Sequence, residues 1–169
     1  MKRLFQLSLC ALPLVLGSCG YQLGGLVNGQ LEGMKTFNIN MFDNHTTFPN
    51  VAMQVTSALG NAMQTDGTFT VASPSEADFS VSGAVTSVNY NRLLVDSADS
   101  YLSLEIGVVV SATYTVTDNK TGKVIKSGSV SETGSYFNAG GNTLAGRDAA
   151  LSYAARKAAG AVVDQLTTP

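Results

Sequence analysis

The chain has very little cysteine and no tryptophan. Its two cysteines are Cys10, within an N-terminal apolar stretch, and Cys19, just after it. If that stretch is cleaved off, Cys10 is lost and a single thiol remains, which excludes a disulfide within the chain. One thiol and the single histidine, His45, also cannot supply the ligands of a common zinc site. We therefore expect no metal or disulfide, and a fold stabilised by packing alone.

Long apolar runs are also missing. The longest, Leu4 to Val15, spans twelve residues and contains Pro13. A transmembrane helix needs about 20 apolar residues, so this run is too short to cross a bilayer. Lys2 and Arg3 precede it, which is the order of charges and apolar residues in a cleaved export signal.

The tetrapeptide Leu16-Gly17-Ser18-Cys19 closes this signal and resembles a bacterial lipobox. The resemblance implies that Cys19 becomes the mature N-terminus, carrying a diacylglyceryl group and an N-acyl chain; an ordinary secretory signal is the alternative. Two or more acyl chains give stable membrane anchoring. We therefore predict a signal peptide over residues 1–18, a lipid-anchored, Gly-rich tether over 19–33, and one folded domain over 34–169.

Positive charge is scarce in the remaining chain. The sequence has ten Lys and Arg against twelve Asp and Glu, and two of the ten, Lys2 and Arg3, belong to the signal. The mature protein is therefore acidic, with no basic run, which argues against nucleic acid as a partner.

The pattern of apolar residues predicts two helices. Thr46 or Thr47 is a suitable cap, and Pro49 fits the first turn of a helix that ends at Asp66 before Gly67. A second helix is expected over residues 144–166. Each has a single apolar stripe at helical spacing. The expected stripes are Val51, Val55, Leu59, Ala62 and Met63 in the first helix, and Leu151, Ala155, Ala158, Val162 and Leu166 in the second.

Alternation at every second residue predicts the strands. Phe37, Ile39 and Met41 alternate with asparagines in a first strand over 35–42, and short and long strands follow over 68–72 and 77–94. A change of parity predicts a bulge near Ser87. The clearest strand runs from 102 to 116 and continues through a turn at Gly122 into a polar strand over 123–136. We expect an α+β, two-layer sandwich, with a mixed, mostly antiparallel sheet and both helices on one face.

The sequence offers no catalytic constellation, and we expect no enzymatic activity. His45 has no second histidine or cysteine near it, and Asp96 and Asp99 lie in a Ser-rich connection where carboxylates mostly aid solubility. The basic residues Arg92, Lys123 and Lys126 lie near the ends of neighbouring strands. If they converge, they could hold the phosphate groups of a glycolipid; the alternative is that they are ordinary solvated charges.

Several segments, in order along the chain, resemble the LptE family of lipopolysaccharide-assembly lipoproteins. The turn and helix segments correspond to its hairpin and terminal helix. The matching residues are Cys19-Gly20-Tyr21-Gln22-Leu23-Gly24-Gly25, Met41-Phe42-Asp43-Asn44 with Thr46, Thr47 and Pro49, Ala77-Asp78-Phe79 with Ser82-Gly83, Thr117-Asp118 with Thr121-Gly122-Lys123, and Arg147-Asp148-Ala149-Ala150-Leu151.

That resemblance implies an outer-membrane lipoprotein without catalysis, which plugs and stabilises an LptD-type β-barrel and helps lipopolysaccharide reach the outer leaflet. Ser, Thr, Asn and Gln would suit the polar lumen of such a barrel. Members of the family are associated with lipopolysaccharide binding through basic side chains. This general association makes Arg92, Lys123 and Lys126 the candidate binding residues here.

A periplasmic lipoprotein that activates a cell-wall synthase, similar to the LpoB-type activators, is the alternative. Those proteins share the Asn-Xaa-Thr region, the Ala-Asp strand opening and the Thr-Gly hairpin. An activator that reaches through the cell wall needs a longer arm than the short tether after Cys19. The barrel plug is therefore preferred.

Overall fold

The computed structural model describes residues 29–95, 97, 103–138 and 143–168. The predicted signal, Cys19 and most of the tether lie outside these residues. Both predicted helices and all the predicted strands are present, and their bounds differ from the predicted ones by a few residues. In chain order the elements are a 3-10 turn Gly29–Leu31, β1 Thr36–Ile39, β2 Asp43–Asn44, α1 Val51–Asp66, β3 Thr70–Val71, β4 Phe79–Val95, β5 Ser103–Asp118, β6 Val124–Phe137 and α2 Thr143–Thr167.

The strands form one sheet in the order β3-β1-β4-β5-β6, with β2 also pairing with β4. The three long strands β4, β5 and β6 are antiparallel neighbours, and the short strands β1, β2 and β3 add parallel pairs. Both helices cover the same face. The predicted α+β sandwich, with its mixed and antiparallel-rich sheet, is confirmed.

The bulge predicted near Ser87 is present in β4. The register against β5 shifts between Val85, which lies opposite Ala112, and Ser87, which lies opposite Ser111. The extra residue reverses the parity of the strand. Val85 and Val88 can therefore both face the helices although they are three residues apart.

The first strand is shorter than predicted, and the prediction that Met41 shares the face of Phe37 is wrong. β1 ends at Ile39, and the chain then bends before β2. Met41 is 63% exposed, whereas Phe42 is buried and its ring lies over Gly83. Because Gly83 has no side chain, the space above it accepts the aromatic ring of Phe42. Phe42 therefore lies in the core in place of Met41.

The predicted cap of α1 is also wrong. The N-cap is Asn50, with φ 66° and no side-chain hydrogen bond to the helix, and Pro49 precedes it. The Thr46 hydroxyl instead accepts a hydrogen bond from the Phe48 N–H at 3.1 Å, and the side chain of Asn44 accepts one from the Thr46 N–H at 3.0 Å. Such local side-chain bonds compete with helix capping, and here they build the turn before the helix. The predicted end at Gly67 is confirmed by its φ of 74°.

The apolar stripes of both helices pack against the sheet as predicted. All five residues predicted for α2 are buried, as are those predicted for α1 except Ala62, which is partly buried. α2 runs directly above β6 and almost touches it. A Cβ atom at Gly134 would collide with the Ala150 carbonyl oxygen, and one at Gly128 would lie 2.9 Å from Oε1 of Gln165. Gly134 therefore allows this close approach of helix and strand, whereas the atoms nearest to a Cβ at Gly128 belong to the Tyr114 ring of β5.

Candidate functional site

The sheet face opposite the helices is uncovered and rich in hydroxyl groups. Alternation along β4, β5 and β6 sends apolar side chains towards the helices and small polar ones outwards. Ser111 of β5 and Ser131 of β6 lie directly opposite each other on neighbouring strands, with their hydroxyl oxygens 3.0 Å apart. Among the described residues of these outer rows, Glu105 is the one with a charge. The hydroxyl-bearing residues are Ser80, Ser82, Ser87, Ser111, Thr113, Thr115, Thr117, Ser127, Ser129, Ser131, Thr133 and Ser135.

This polar face ends in an apolar patch where β4 ends and β6 ends. Leu94 lies opposite Glu105, which lies opposite Phe137, so the three residues form one row across the sheet. Leu93 packs over Gly107, where an added Cβ atom would lie 3.2 Å from its side chain. Leu93, Leu94 and Phe137 are 50%, 48% and 68% exposed. We call these three residues the apolar end of the sheet. The sequence analysis missed it, although three consecutive apolar residues, Leu93 to Val95, could have indicated it.

The three basic candidates do not converge. Arg92 lies opposite Ile106, which lies opposite Tyr136, whereas Lys126 lies opposite Val116. Tyr136 and Lys126 are on the same strand and ten residues apart, or about 33 Å. The expectation of one basic cluster is therefore wrong, because antiparallel pairing puts the end of β4 opposite the end of β6 and not opposite its start.

Each basic side chain has its own surroundings. Arg92 is exposed and lies at the same end of the sheet as the apolar residues, but in the row that faces the helices. Lys126 donates a hydrogen bond to the backbone carbonyl of Gln165, near the end of α2. Lys123 is exposed beside the turn at Gly122. Lipopolysaccharide binding by these residues stays a prediction.

The chain enters the fold at the end of the sheet opposite to the apolar patch. The backbone N–H groups of Lys35 and Thr36 donate to Oδ2 of Asp78 at 2.9 and 3.1 Å. Lys120, from the turn after β5, lies 2.7 Å from Oδ1 of the same carboxylate. The hydrogen bond from Lys120, supported by those from Lys35 and Thr36, holds the pKa of Asp78 far below its usual range. Asp78 therefore joins the first described strand to the hairpin.

The single histidine of the sequence lies at the surface of the fold. His45 is exposed, and its backbone N–H donates to the Val85 carbonyl at 3.0 Å. Within the described ranges, no three His, Cys, Asp or Glu residues group as metal ligands. Asp96, Asp99 and Cys19 lie outside those ranges, so neither a cation site at the aspartates nor lipid attachment is tested. In the same ranges, no helix has the length and apolar character needed to cross a membrane.

A shallow groove runs between the outer sides of α1 and α2. One pocket in this groove has a volume of about 400 Å³ and is lined by small residues such as Ala58 and Gly160, together with Arg156, Asp66 and Asp164. The Arg156 guanidinium lies 5.8 Å from the centre of the Tyr153 ring. The groove follows from the small residues that the two helices present to each other, and the sequence analysis did not anticipate it.

The fold and the surfaces described above define a two-layer α+β domain with a polar, uncovered sheet face. No protein-family model matches this chain, and no curated protein matches it. The resemblance to the LptE family therefore stays a prediction.

Solved structures of bacterial proteins are similar to it in fold. The PelC dodecamer of Paraburkholderia phytofirmans has a TM-score of 0.56 and 21% identity, over 86% of this chain and 96% of that one. A hypothetical protein from Chlamydia trachomatis has a TM-score of 0.57 and 8% identity, over 79% and 96%. The uncharacterized lipoprotein B of Nitrosomonas europaea has a TM-score of 0.55 and 12% identity, over 85% and 90%. At these identities the likeness establishes the fold alone.

Proposed function

We propose that this chain is an outer-membrane lipoprotein, anchored through Cys19, that fills the lumen of a large LptD-type β-barrel and assists lipopolysaccharide assembly without catalysis. The observation that carries the proposal is the uncovered sheet face. Three long strands present rows of hydroxyl groups with a single charged residue, Glu105, among the described ones. The lumen of a membrane barrel is polar, so such a face can contact it without burying unpaired charge.

The dimensions of the sheet also support this function. β4 has 17 residues, which corresponds to about 50 Å of strand. A bilayer with its headgroups is about 40–45 Å thick, so a body of this length can extend through a barrel from one leaflet to the other. The chain enters the fold at the end near Asp78, which would lie towards the anchored leaflet, and the apolar end of the sheet would lie towards the opposite one.

The apolar end is the most suitable region for lipopolysaccharide. The exposed Arg92 lies at the same end of the sheet as Leu93, Leu94 and Phe137, one row away and on the helix-facing side, and an amphipathic lipid offers both phosphate and hydrocarbon to such an end. Lys123 and Lys126 lie at the other end of the sheet. We therefore expect Arg92→Ala to weaken lipopolysaccharide binding more than Lys123→Ala or Lys126→Ala does, and wild-type affinity in all three variants would exclude a role for these basic side chains.

The related fold of a bacterial lipoprotein, the lipoprotein B of Nitrosomonas europaea, supports the anchored part of the proposal. The tether supports the preference for a barrel over a cell-wall synthase. Ten residues lead from Cys19 to Gly29, and they can span at most about 36 Å. A protein on such a tether acts close to its membrane.

Affinity purification from envelopes of the native bacterium tests the proposal. We expect the tagged wild-type chain to recover an outer-membrane β-barrel. The variant Cys19→Ala, which cannot be lipidated, should recover less of it from the membrane fraction. Recovery of a penicillin-binding protein in place of the barrel would refute the proposed function and favour the synthase activator.

A further inference from the structure

The residues that the structure describes leave the outer edge of β6 without a pairing strand. β6 is the last strand in the sheet order, and among the residues that the structure describes no strand pairs with its far side. It has 14 residues, and alternate residues turn their N–H and C=O groups away from β5. Unpaired backbone groups in such a row form a template for one more strand. The opposite edge strand, β3, has only two residues and offers no comparable row.

β6 carries neither a proline nor a charge in its outward-facing row, and both are features that can protect an edge strand. It contains no proline, and its two charged residues are both engaged within the fold. Lys126 donates to the carbonyl of Gln165, and Glu132 forms an ion pair of 2.8 Å with Lys157 of α2. An edge strand of this length with no proline and no outward-facing charge favours pairing with a further strand. Small hydroxyl side chains fill the middle of its outer row, at Ser127, Ser129, Ser131, Thr133 and Ser135.

The position of α2 determines which kind of strand fits. At Gly134 the backbone of α2 near Ala150 lies directly above β6, so the width of the helix carries it past this strand. A helix with its side chains is about 10 Å wide, whereas neighbouring strands are about 4.8 Å apart. A second copy paired through its own β6 would bring its α2 to about 5 Å from this one, and packed helices need about 8–10 Å. An antiparallel pairing of two copies through β6, which keeps both helices on the same face of the sheet, is therefore excluded by collision of the two helices.

We propose that the β6 edge binds one extended segment of a partner protein, added as a further strand that has no helix above it. Main-chain hydrogen bonds supply the attraction, and the segment lies beneath the overhanging side of α2. Since Lys126 and Glu132 are already paired, the segment needs no charge opposite the central residues of β6. The proposal concerns the edge and does not depend on the identity of the barrel proposed above.

A synthetic peptide tests the edge directly. A capped peptide with the sequence of residues 126–136 is a copy of β6 without its helix. In an antiparallel pairing with Ser129 opposite Ser129, Lys126 of each strand lies opposite Glu132 of the other. Amide hydrogen exchange of the full mature chain is measured by NMR with and without saturating peptide. We expect at least tenfold slower exchange at alternate residues of β6; unchanged rates there would overturn the proposal.

A matched pair of variants locates the binding. The edge variant is Ser129→Lys with Ser131→Lys, and the control is Thr113→Lys with Ser111→Lys, the residues directly opposite on β5. Both add two charges to the same polar face, but only the first puts them on the open edge. We expect the edge variant to lose the peptide's effect on exchange and the control to keep it. Loss in the control alone would overturn the proposal.

The same variants separate this proposal from the proposed function. Loss of the barrel from purifications of the edge variant alone would identify the barrel as the source of the strand. Its recovery with both variants would exclude the barrel as that source while leaving the plug function intact. If the wild-type chain recovers no barrel, the plug function fails, and the peptide experiment still decides whether the edge binds a strand.

Discussion

Gly134 is the position where a single added methyl group should disturb the fold most clearly. Its neighbours are backbone atoms of α2, which cannot rotate away as a side chain can. A Cβ atom there would collide with the Ala150 carbonyl oxygen and would lie 3.2 Å from the Ala154 nitrogen. In Gly134→Ala, α2 must therefore move away from β6 along part of its length.

The expected destabilisation follows from two opposing effects. Overpacking a tight site costs about 1–3 kcal/mol. Replacing glycine in a strand also removes backbone freedom from the unfolded chain, which returns about 0.5–1 kcal/mol. We therefore expect the free energy of unfolding of Gly134→Ala to fall by about 1–2 kcal/mol. For a domain of this size the melting temperature should fall by roughly 5 °C.

Urea unfolding followed by circular dichroism measures this change, and Gly160→Ala is the matched control. Gly160 lies in α2 as well, but no atom is within 4 Å of the Cβ that would be added there. The control should be more stable than the wild type by about 0.5–1 kcal/mol, because alanine is the better helix former. A Gly134→Ala variant as stable as the wild type would refute the close approach of α2 and β6, on which the edge proposal also depends.

Three further predictions concern the core and the hairpin. Asp78→Asn should make the free energy of unfolding less dependent on pH. The depressed pKa of Asp78 stabilises the wild type above the usual carboxyl pKa, near 3.8, and this contribution is lost as the pH falls below it. Urea midpoints at pH 7 and pH 3 should therefore differ less in the variant than in the wild type. Tyr114→Phe removes a 2.7 Å hydrogen bond to Gln165 and should cost about 1 kcal/mol of unfolding free energy; a neutral result would show that the bond contributes nothing. Leu59→Ala, at a fully buried position of α1, should cost about 2–5 kcal/mol, and a loss below 1 kcal/mol would contradict its place in the core.

Local errors in the sequence analysis have a common cause. Met41 was expected in the core and Thr46 or Thr47 at the helix cap, yet Phe42 is buried and Asn50 is the N-cap. Both positions lie between elements, where hydrogen bonds of side chains to nearby backbone groups, and the space above Gly83, determine the path of the chain. Neither effect is visible in the periodicity of apolar residues.

The apolar end of the sheet was missed for a related reason. Leu93 and Phe137 are 44 residues apart in sequence and belong to strands that are not direct neighbours. Their proximity depends on two registers, that of β4 with β5 and that of β5 with β6. The same registers separate Arg92 from Lys126. Both residues lie near strand ends in the sequence, and for that reason they were expected to converge.

The sequence by itself determined the fold class and most of its elements: the two amphipathic helices, the long alternating strands, the bulge near Ser87 and the scarcity of metal and disulfide ligands. These follow from local periodicity and from residue types, which do not depend on distant contacts. Only the tertiary structure decided which residues meet. It separated the basic side chains, formed the apolar end, and placed α2 over β6, which is the last strand of the sheet among the described residues. Register and helix position arise from packing between segments that are distant in sequence. The local pattern of residues therefore does not reveal them.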